Sequence, residues 1–206
     1  MLTKYAYWIF RGALSEKDRE EIKRIGVESN YGDGKIATDT SLSENEKLSL
    51  EKGDANIRDS GVSFSNDPYL YKTLTPFTHS ANEKAGWKYD IDWFENIQVT
   101  RYRKNQHYAW HTDGASDHFS PQPSEGGNFV GRVRKISLVA SLSDGYVGGE
   151  LELALQRQDE PNEILYPEME CGDVIVFPSY MYHRSTPVTK GIKYSSVMWA
   201  LGPPFK

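Results

Sequence analysis

His111-Thr112-Asp113 sets an imidazole and a carboxylate two residues apart at the end of the aromatic segment VTRYRKNQHYAWH. In an extended strand, residues two apart point to the same face, so the two side chains can converge without a loop folding back. An H-x-D tripeptide alone is an ordinary solvated strand end. His183, about seventy residues further on, follows the apolar run DVIVFP and a short SYMY turn and supplies a second imidazole. Two histidines and one carboxylate on one face of a metal form the facial triad of non-haem iron(II), which leaves positions open for a small chelator and dioxygen. Zinc is the rival, since it also accepts three protein ligands, but a catalytic zinc would need a general base beside it.

Lys193 stands ten residues after His183, at the start of KYSSVMWAL. Alternation puts Lys193, Ser195, Val197 and Trp199 on one face and Tyr194, Ser196 and Met198 on the other. With the first set inward, the ammonium lies among apolar and aromatic neighbours and needs an anion; the bland alternative is a lysine snorkelling to solvent. The distal carboxylate of 2-oxoglutarate meets that need, and Ser195 can add a hydrogen bond. Other candidates compare poorly. His107 shares the strand face of His111 at too great a separation for joint ligation and is expected to be structural or exposed. Asp117 and His118 fall in a Gly/Pro/Ser-rich stretch, and His79 has no evident partner.

These groups need a rigid scaffold. YAYWIF (5–10) reads as a strand, and Ser15 with Asp18 three residues on opens an amphipathic helix. Residues 31–60 are polar and read as a mobile surface loop. Asp67 to Trp87 carries apolar residues at helical spacing behind Pro68, giving a second helix that packs with the first on one face of a sheet. Thereafter IQVTRYR, RKISLVASL, GELELAL, DVIVFP and KYSSVMWAL read as short strands with no long helix between them, which implies an antiparallel barrel or sandwich. Residues 114–131 are too long for a hairpin and are expected to form a lid.

At 206 residues the chain can bury roughly 70% of its extended surface. Its net charge of −5 gives no general attraction to nucleic acid or anionic membranes. Cys171 is the only cysteine, so no intrachain disulfide forms. No run is long enough to span a bilayer and the N-terminus lacks signal-peptide features, so a cytoplasmic location is expected.

Tyr102, Tyr108, His111 and Asp113 in YRKNQHYAWHTD, then Gly148-Gly149-Glu150-Leu151, Gly172-Asp173, Phe177-Pro178, His183, Pro187-Val188-Thr189, Lys193 and Trp199, stand in a familiar order and spacing. Over roughly Glu95 to Trp199 the chain resembles the prolyl-4-hydroxylase-like and PKHD-type 2-oxoglutarate/iron(II) dioxygenases. The segments IRDSGVSF and SANEKAGW are similar to the helical N-terminal part of the PKHD-type members. The resemblance implies a mainly β fold, a double-stranded β-helix (jelly-roll) core over 95–202 with flanking helices in a support region over 1–94, all in one domain. It implies iron(II) on His111, Asp113 and His183, and 2-oxoglutarate on Lys193 with Tyr102, Ser195 and Ser137. Tyr108 and Trp199 would line the substrate pocket, and ascorbate would support activity. Strand parity disagrees on Tyr108, three residues before His111, and sets it on the opposite face unless the strand bulges. Asn105 stands where the family usually has Gly, and many relatives carry Arg at Lys193.

The activity implied is hydroxylation of a C-H bond coupled to conversion of 2-oxoglutarate to succinate and CO2. Halogenating relatives leave the carboxylate position empty, so Asp113 argues for hydroxylation. A prolyl residue of a peptide or protein is the first substrate expected, and a free amino acid or other small molecule the second. The rivals are a nucleic-acid base demethylase, which the acidic balance disfavours, and a non-catalytic jelly-roll binding module, which would be expected to have lost a ligand.

Overall fold

Two short helices begin where the capping residues stand. Ser15 Oγ accepts from the Asp18 N–H while the Asp18 carboxylate accepts from the Ser15 N–H, opening α1 (Glu16–Glu28). Asp67 accepts from the Tyr69 N–H and Pro68 takes the first turn of α2 (Pro68–Lys84). The computed structural model describes residues 5–29, 32–33, 57–114, 131–155 and 163–205. The strands in chain order are β1 (Trp8–Phe10), β2 (Gly32–Asp33), β3 (Arg58–Asp59), β4 (Gly61–Ser65), β5 (Trp93–Phe94), β6 (Ile97–Tyr102), β7 (His107–His111), β8 (Val133–Ser141), β9 (Val147–Gly148), β10 (Leu151–Leu155), β11 (Glu163–Leu165), β12 (Val174–Pro178), β13 (Tyr182–Ser185), β14 (Val188–Lys190) and β15 (Lys193–Gly202).

They pair antiparallel throughout. The large sheet runs β1-β12-β8-β15-β6-β4-β2 with β5 on β15, the smaller runs β11-β10-β13-β7-β3, and β14 pairs with β9. This is the jelly-roll arrangement expected from the sequence. Alternation decides what each face does. Ile97 and Val99 of β6, Ile136, Leu138 and Ala140 of β8, and Met198 and Ala200 of β15 join Ile22 and Ile25 of α1 and Leu70, Leu74 and Ala81 of α2 in the main core. Each fully buried aliphatic side chain there contributes roughly 2 kcal/mol. The opposite face meets the smaller sheet through Leu153, Ile175 and Phe177.

Three expectations change. IRDSGVSF is strand rather than helix, forming β3 and β4, and β2 also lies within the stretch read as a loop; residues 34–56 of that stretch lie outside the described residues. Residues before 95 thus supply strands to both sheets as well as two helices. Of the lid 114–131, only Gly114 and Gly131 fall among the described residues. Asn105, which stands where the family usually has Gly, has φ at +70°, a left-handed backbone that Asn tolerates better than most residues. No helix among the described residues is long and apolar enough to cross a membrane.

Candidate active site

β7 and β13 are neighbours in the smaller sheet, with His111 and His183 as directly opposed Cα partners. Their rings tilt against each other at 4.1 Å between centroids. Asp113 follows the end of β7, and its N–H donates to the Ser179 carbonyl, which fixes the turn. His111 Nε2 then lies 3.6 Å from Asp113 Oδ1, and His183 Nε2 lies 3.5 Å from Oδ2. Ligand atoms of all three residues stand within 4.8 Å of one another. Each histidine turns Nδ1 to a backbone carbonyl two residues earlier, His111 to Ala109 at 2.8 Å and His183 to Met181 at 3.0 Å. With the Nδ1 proton donated to those carbonyls, Nε2 is the lone-pair nitrogen and faces the carboxylate.

The electrostatics suit a cation. Burial first, then His111, pushes His183 down to about 4, so the imidazole is neutral at physiological pH. Burial works to raise Asp113, but His183, His111 and Arg134 together outweigh it and hold the carboxyl below its usual range. Asp113 Oδ2 is sealed from solvent and has no hydrogen-bond partner. A buried acceptor without a donor, with two imidazole nitrogens on one side only, fits iron(II) and leaves the other coordination face clear.

That face opens on a cavity of about 380 Å³. At one end is Lys193, 8% exposed, its Nζ donating to the Gly149 carbonyl at 2.6 Å and to Ser185 Oγ at 3.0 Å. Burial pushes it down to about 8, against a smaller upward pull from Glu150. Gly149, at φ +71°, is required here, because a Cβ would lie 2.9 Å from Val188 Cγ2 and 3.1 Å from the Lys193 stem. Tyr102 is the strand partner of Lys193, with its ring 5.2 Å from Nζ, and Ser195 lines the same wall. Burial raises Tyr102 and pushes Tyr108 up to about 12, so both phenols remain protonated donors.

Toward the mouth, Tyr108 stacks on His111 at 3.5 Å between centroids. The parity objection to Tyr108 is removed by a bulge: His183 opposes His111 while Ser185 opposes Tyr108, so β7 spends three residues where β13 spends two. The same irregularity explains why His107, expected on the His111 face, does not line the cavity. Trp199 lines it as expected, under the Arg134 guanidinium at 4.0 Å, and Arg134 is bound through both Nε and Nη2 to Glu95.

Ser137 is the site residue the fold moves elsewhere. It is fully buried, its Oγ is 2.9 Å from Ser179 Oγ, and it does not line the cavity, whereas Val139 two residues on does. Its contact supports Ser179, whose carbonyl holds Asp113. His79 packs edge-on against Phe94 away from the cavity, Cys171 is half-buried with its thiol raised by burial, and Asp117 and His118 lie outside the described residues. Sequence reasoning missed Arg58, Gln98 and the Glu95 partner of Arg134, all at the cavity or its rim. The one available signal was the pair of arginines in RVRKIS, the second of which, Arg134, opens the segment RKISLVASL read as a strand.

The 2OG-Fe(II) oxygenase superfamily model matches residues 97–201, and the chain belongs to that superfamily. It is 33% identical over 102 residues to a PKHD-type hydroxylase of Xylella fastidiosa (strain M12), a match covering 50% of this chain and 42% of that protein. The aligned region thus spans less than half the length of that relative. In structure the chain is similar to a prolyl hydroxylase from Trichoplax adhaerens in complex with a hypoxia inducible factor peptide fragment, with TM-score 0.65, 15% identity and 95% and 83% of the two chains covered. It is similar also to a viral collagen prolyl hydroxylase from Paramecium Bursaria Chlorella virus-1 in its 2OG complex, with TM-score 0.60, 18% identity and 96% and 97% covered. At such identities the likeness is one of fold. Membership of the superfamily implies iron(II) and 2-oxoglutarate.

Proposed function

We propose that this chain is an iron(II)- and 2-oxoglutarate-dependent dioxygenase that hydroxylates a C-H bond of a prolyl residue in a peptide or protein, releasing succinate and CO2. One observation carries the reading: the open face of the His111-Asp113-His183 set and a buried Lys193, without an ion pair among the described residues, share a single cavity. When bound, iron would activate dioxygen for removal of hydrogen from the substrate, with 2-oxoglutarate giving up two electrons as it becomes succinate and CO2.

The chain's own residues bind and orient. His111, Asp113 and His183 would hold the metal on one side. Lys193 would take the distal carboxylate, with Ser195 and the Tyr102 hydroxyl as further donors. Ser137 would act through Ser179 on the position of Asp113. Tyr108 and Trp199 would wall the substrate and set its C-H bond toward the metal. The PKHD-type relative, the prolyl hydroxylase structures and the peptide bound in one of them support a peptide or protein substrate. Ascorbate as activity support and a cytoplasmic location belong to the same reading. A free amino acid is the second reading, and the arginine discussed below favours it.

The test is succinate release from 2-oxoglutarate with iron(II), ascorbate and dioxygen, followed by mass spectrometry of lysate proteins for a gained oxygen. His183→Ala should lose iron(II) binding and turnover together. Turnover of 2-oxoglutarate by that variant at the parent rate would show that the metal is held elsewhere.

A further inference from the structure

The charged groups around the cavity do not cancel. On the reading just given, the metal and Lys193 are neutralised by Asp113 and the two carboxylates of 2-oxoglutarate, while Arg134 is neutralised by Glu95. Arg58 is left over. Its side chain reaches the cavity from β3, the strand beside β7, with Tyr108 as its Cα partner, and it is only 7% exposed. Nε donates to Ser60 Oγ at 2.9 Å, and the guanidinium lies 4.5 Å over the Tyr108 ring. Nη2 is sealed from solvent and has no hydrogen-bond partner.

The ring face of Tyr108 stabilises the positive charge but offers nothing to the in-plane N–H groups. A guanidinium desolvated this far with a vacant donor edge is costly until an acceptor arrives. A peptide carbonyl would satisfy the hydrogens and leave the charge unmatched. A carboxylate satisfies both, and its two oxygens match the planar fork. Gln98 Oε1 and Trp199 Nε1, both on the cavity wall, are likewise sealed and unpartnered, so the wall holds one further acceptor and one further donor. Together they suit an amino-acid unit, which brings a carboxylate, an N–H and a carbonyl.

We infer that Arg58 is a substrate-binding residue that selects a substrate carrying its own carboxylate beside the oxidised carbon: a free or C-terminal amino acid, or a residue next to an acidic one. The inference rests on the dioxygenase reading of the cavity and narrows its substrate class.

The experiment uses the full chain loaded with Mn(II) and 2-oxoglutarate under argon, so that binding is read without turnover. A panel of N-acetyl amino acids, N-acetylproline included, is titrated by calorimetry, each member as the free acid and as the carboxamide. The acids that bind should do so at least about tenfold more tightly than their amides, since a charge-assisted contact is roughly twice as strong as a neutral one. Arg58→Gln should abolish the preference and Arg58→Lys should keep part of it, with Mn(II) affinity measured in each variant as a control on folding. A second measurement needs no variant: formate should weaken binding of the acids to the parent and leave the amides unaffected. A panel with no acid preferred over its amide, or a preference that survives Arg58→Gln in a folded protein, overturns the inference. Failure of 2-oxoglutarate to bind the Mn(II) protein would instead bring down the dioxygenase reading itself, so the two failures are told apart.

Discussion

The two faces of the large sheet are made by the same strands and do opposite things. On β6, β8 and β15, one parity supplies Ile97, Val99, Leu138, Met198 and Ala200 to the helix-covered core, while the other sends Gln98, Tyr102, Val139, Lys193, Ser195 and Trp199 to the cavity. The covered face is mainly apolar, and the small polar groups on it are Ser63 and Ser196, the latter donating to the Gln98 carbonyl. The cavity face leaves Gln98 Oε1 and Trp199 Nε1 without partners, and Arg58 and Asp113 across from it are in the same condition. Apolar burial dominates one side of the strands, with only the hydroxyls of Ser63 and Thr78 unpartnered there, while the larger and charged unpartnered groups gather on the other, as suits a surface prepared for ligands.

The largest stability effect is expected where the covered face is cut. Leu138 is fully buried, and Leu138→Ala should cost about 3 kcal/mol in chemical denaturation while iron(II) affinity stays at the parent value. A loss of metal affinity equal to the loss of stability would show that the two faces are not separable.

Lys193→Met should do the reverse. 2-Oxoglutarate affinity should fall roughly a hundredfold, the loss of one desolvated charge pair, as measured from the concentration dependence of succinate release. Stability should rise. The lysine drops from 10.5 to about 8 on folding, so the unfolded chain holds more protons between those values, and stability climbs as pH rises through that window and is lowest below it. The drop corresponds to about 3 kcal/mol of cost at pH 7, and loss of the two hydrogen bonds from Nζ, to the Gly149 carbonyl and to Ser185 Oγ, gives back about 1 to 2. A net gain of about 1 kcal/mol is therefore expected in the absence of cosubstrate. An unchanged 2-oxoglutarate dependence would transfer the distal carboxylate to Arg58, since Arg134 and Arg184 already hold Glu95 and Glu152.

The smallest effect tests a position outside both faces. Asn105→Gly should gain roughly 0.5 kcal/mol by relieving the positive φ, with turnover unchanged. A large effect on turnover would mean that the turn before β7 positions His111.

What could be read from the sequence was what one strand decides for itself. The parity of β15 placed Lys193, Ser195 and Trp199 together, and the Ser15–Asp18 pair and the apolar spacing behind Pro68 placed the two helices. What could not be read depends on register between distant strands. The bulge that swings Tyr108 to the cavity exists only in the pairing of β7 with β13, and nothing in QHYAWH announces it. Arg58 comes to Tyr108 because a two-residue strand fifty residues upstream pairs with β7, and a polar stretch that short reads as a loop. Ser137, expected at the cosubstrate from the resemblance, has its hydroxyl against Ser179 on the adjoining turn, a partner that no single strand announces.

The histidine Nδ1 atoms have a consequence of their own. Each is tied to a carbonyl two residues back in its own segment, Ala109 for His111 and Met181 for His183, rather than to a carboxylate on a separate element. The aim of each imidazole therefore travels with a tripeptide. A strand carrying His-Xaa-Asp or the turn leading to His183 could be recombined with other neighbours, or drift at every residue around it, and still present its nitrogen at the same angle. The wall of the cavity is free to be rebuilt for a new substrate without the metal site being invented again.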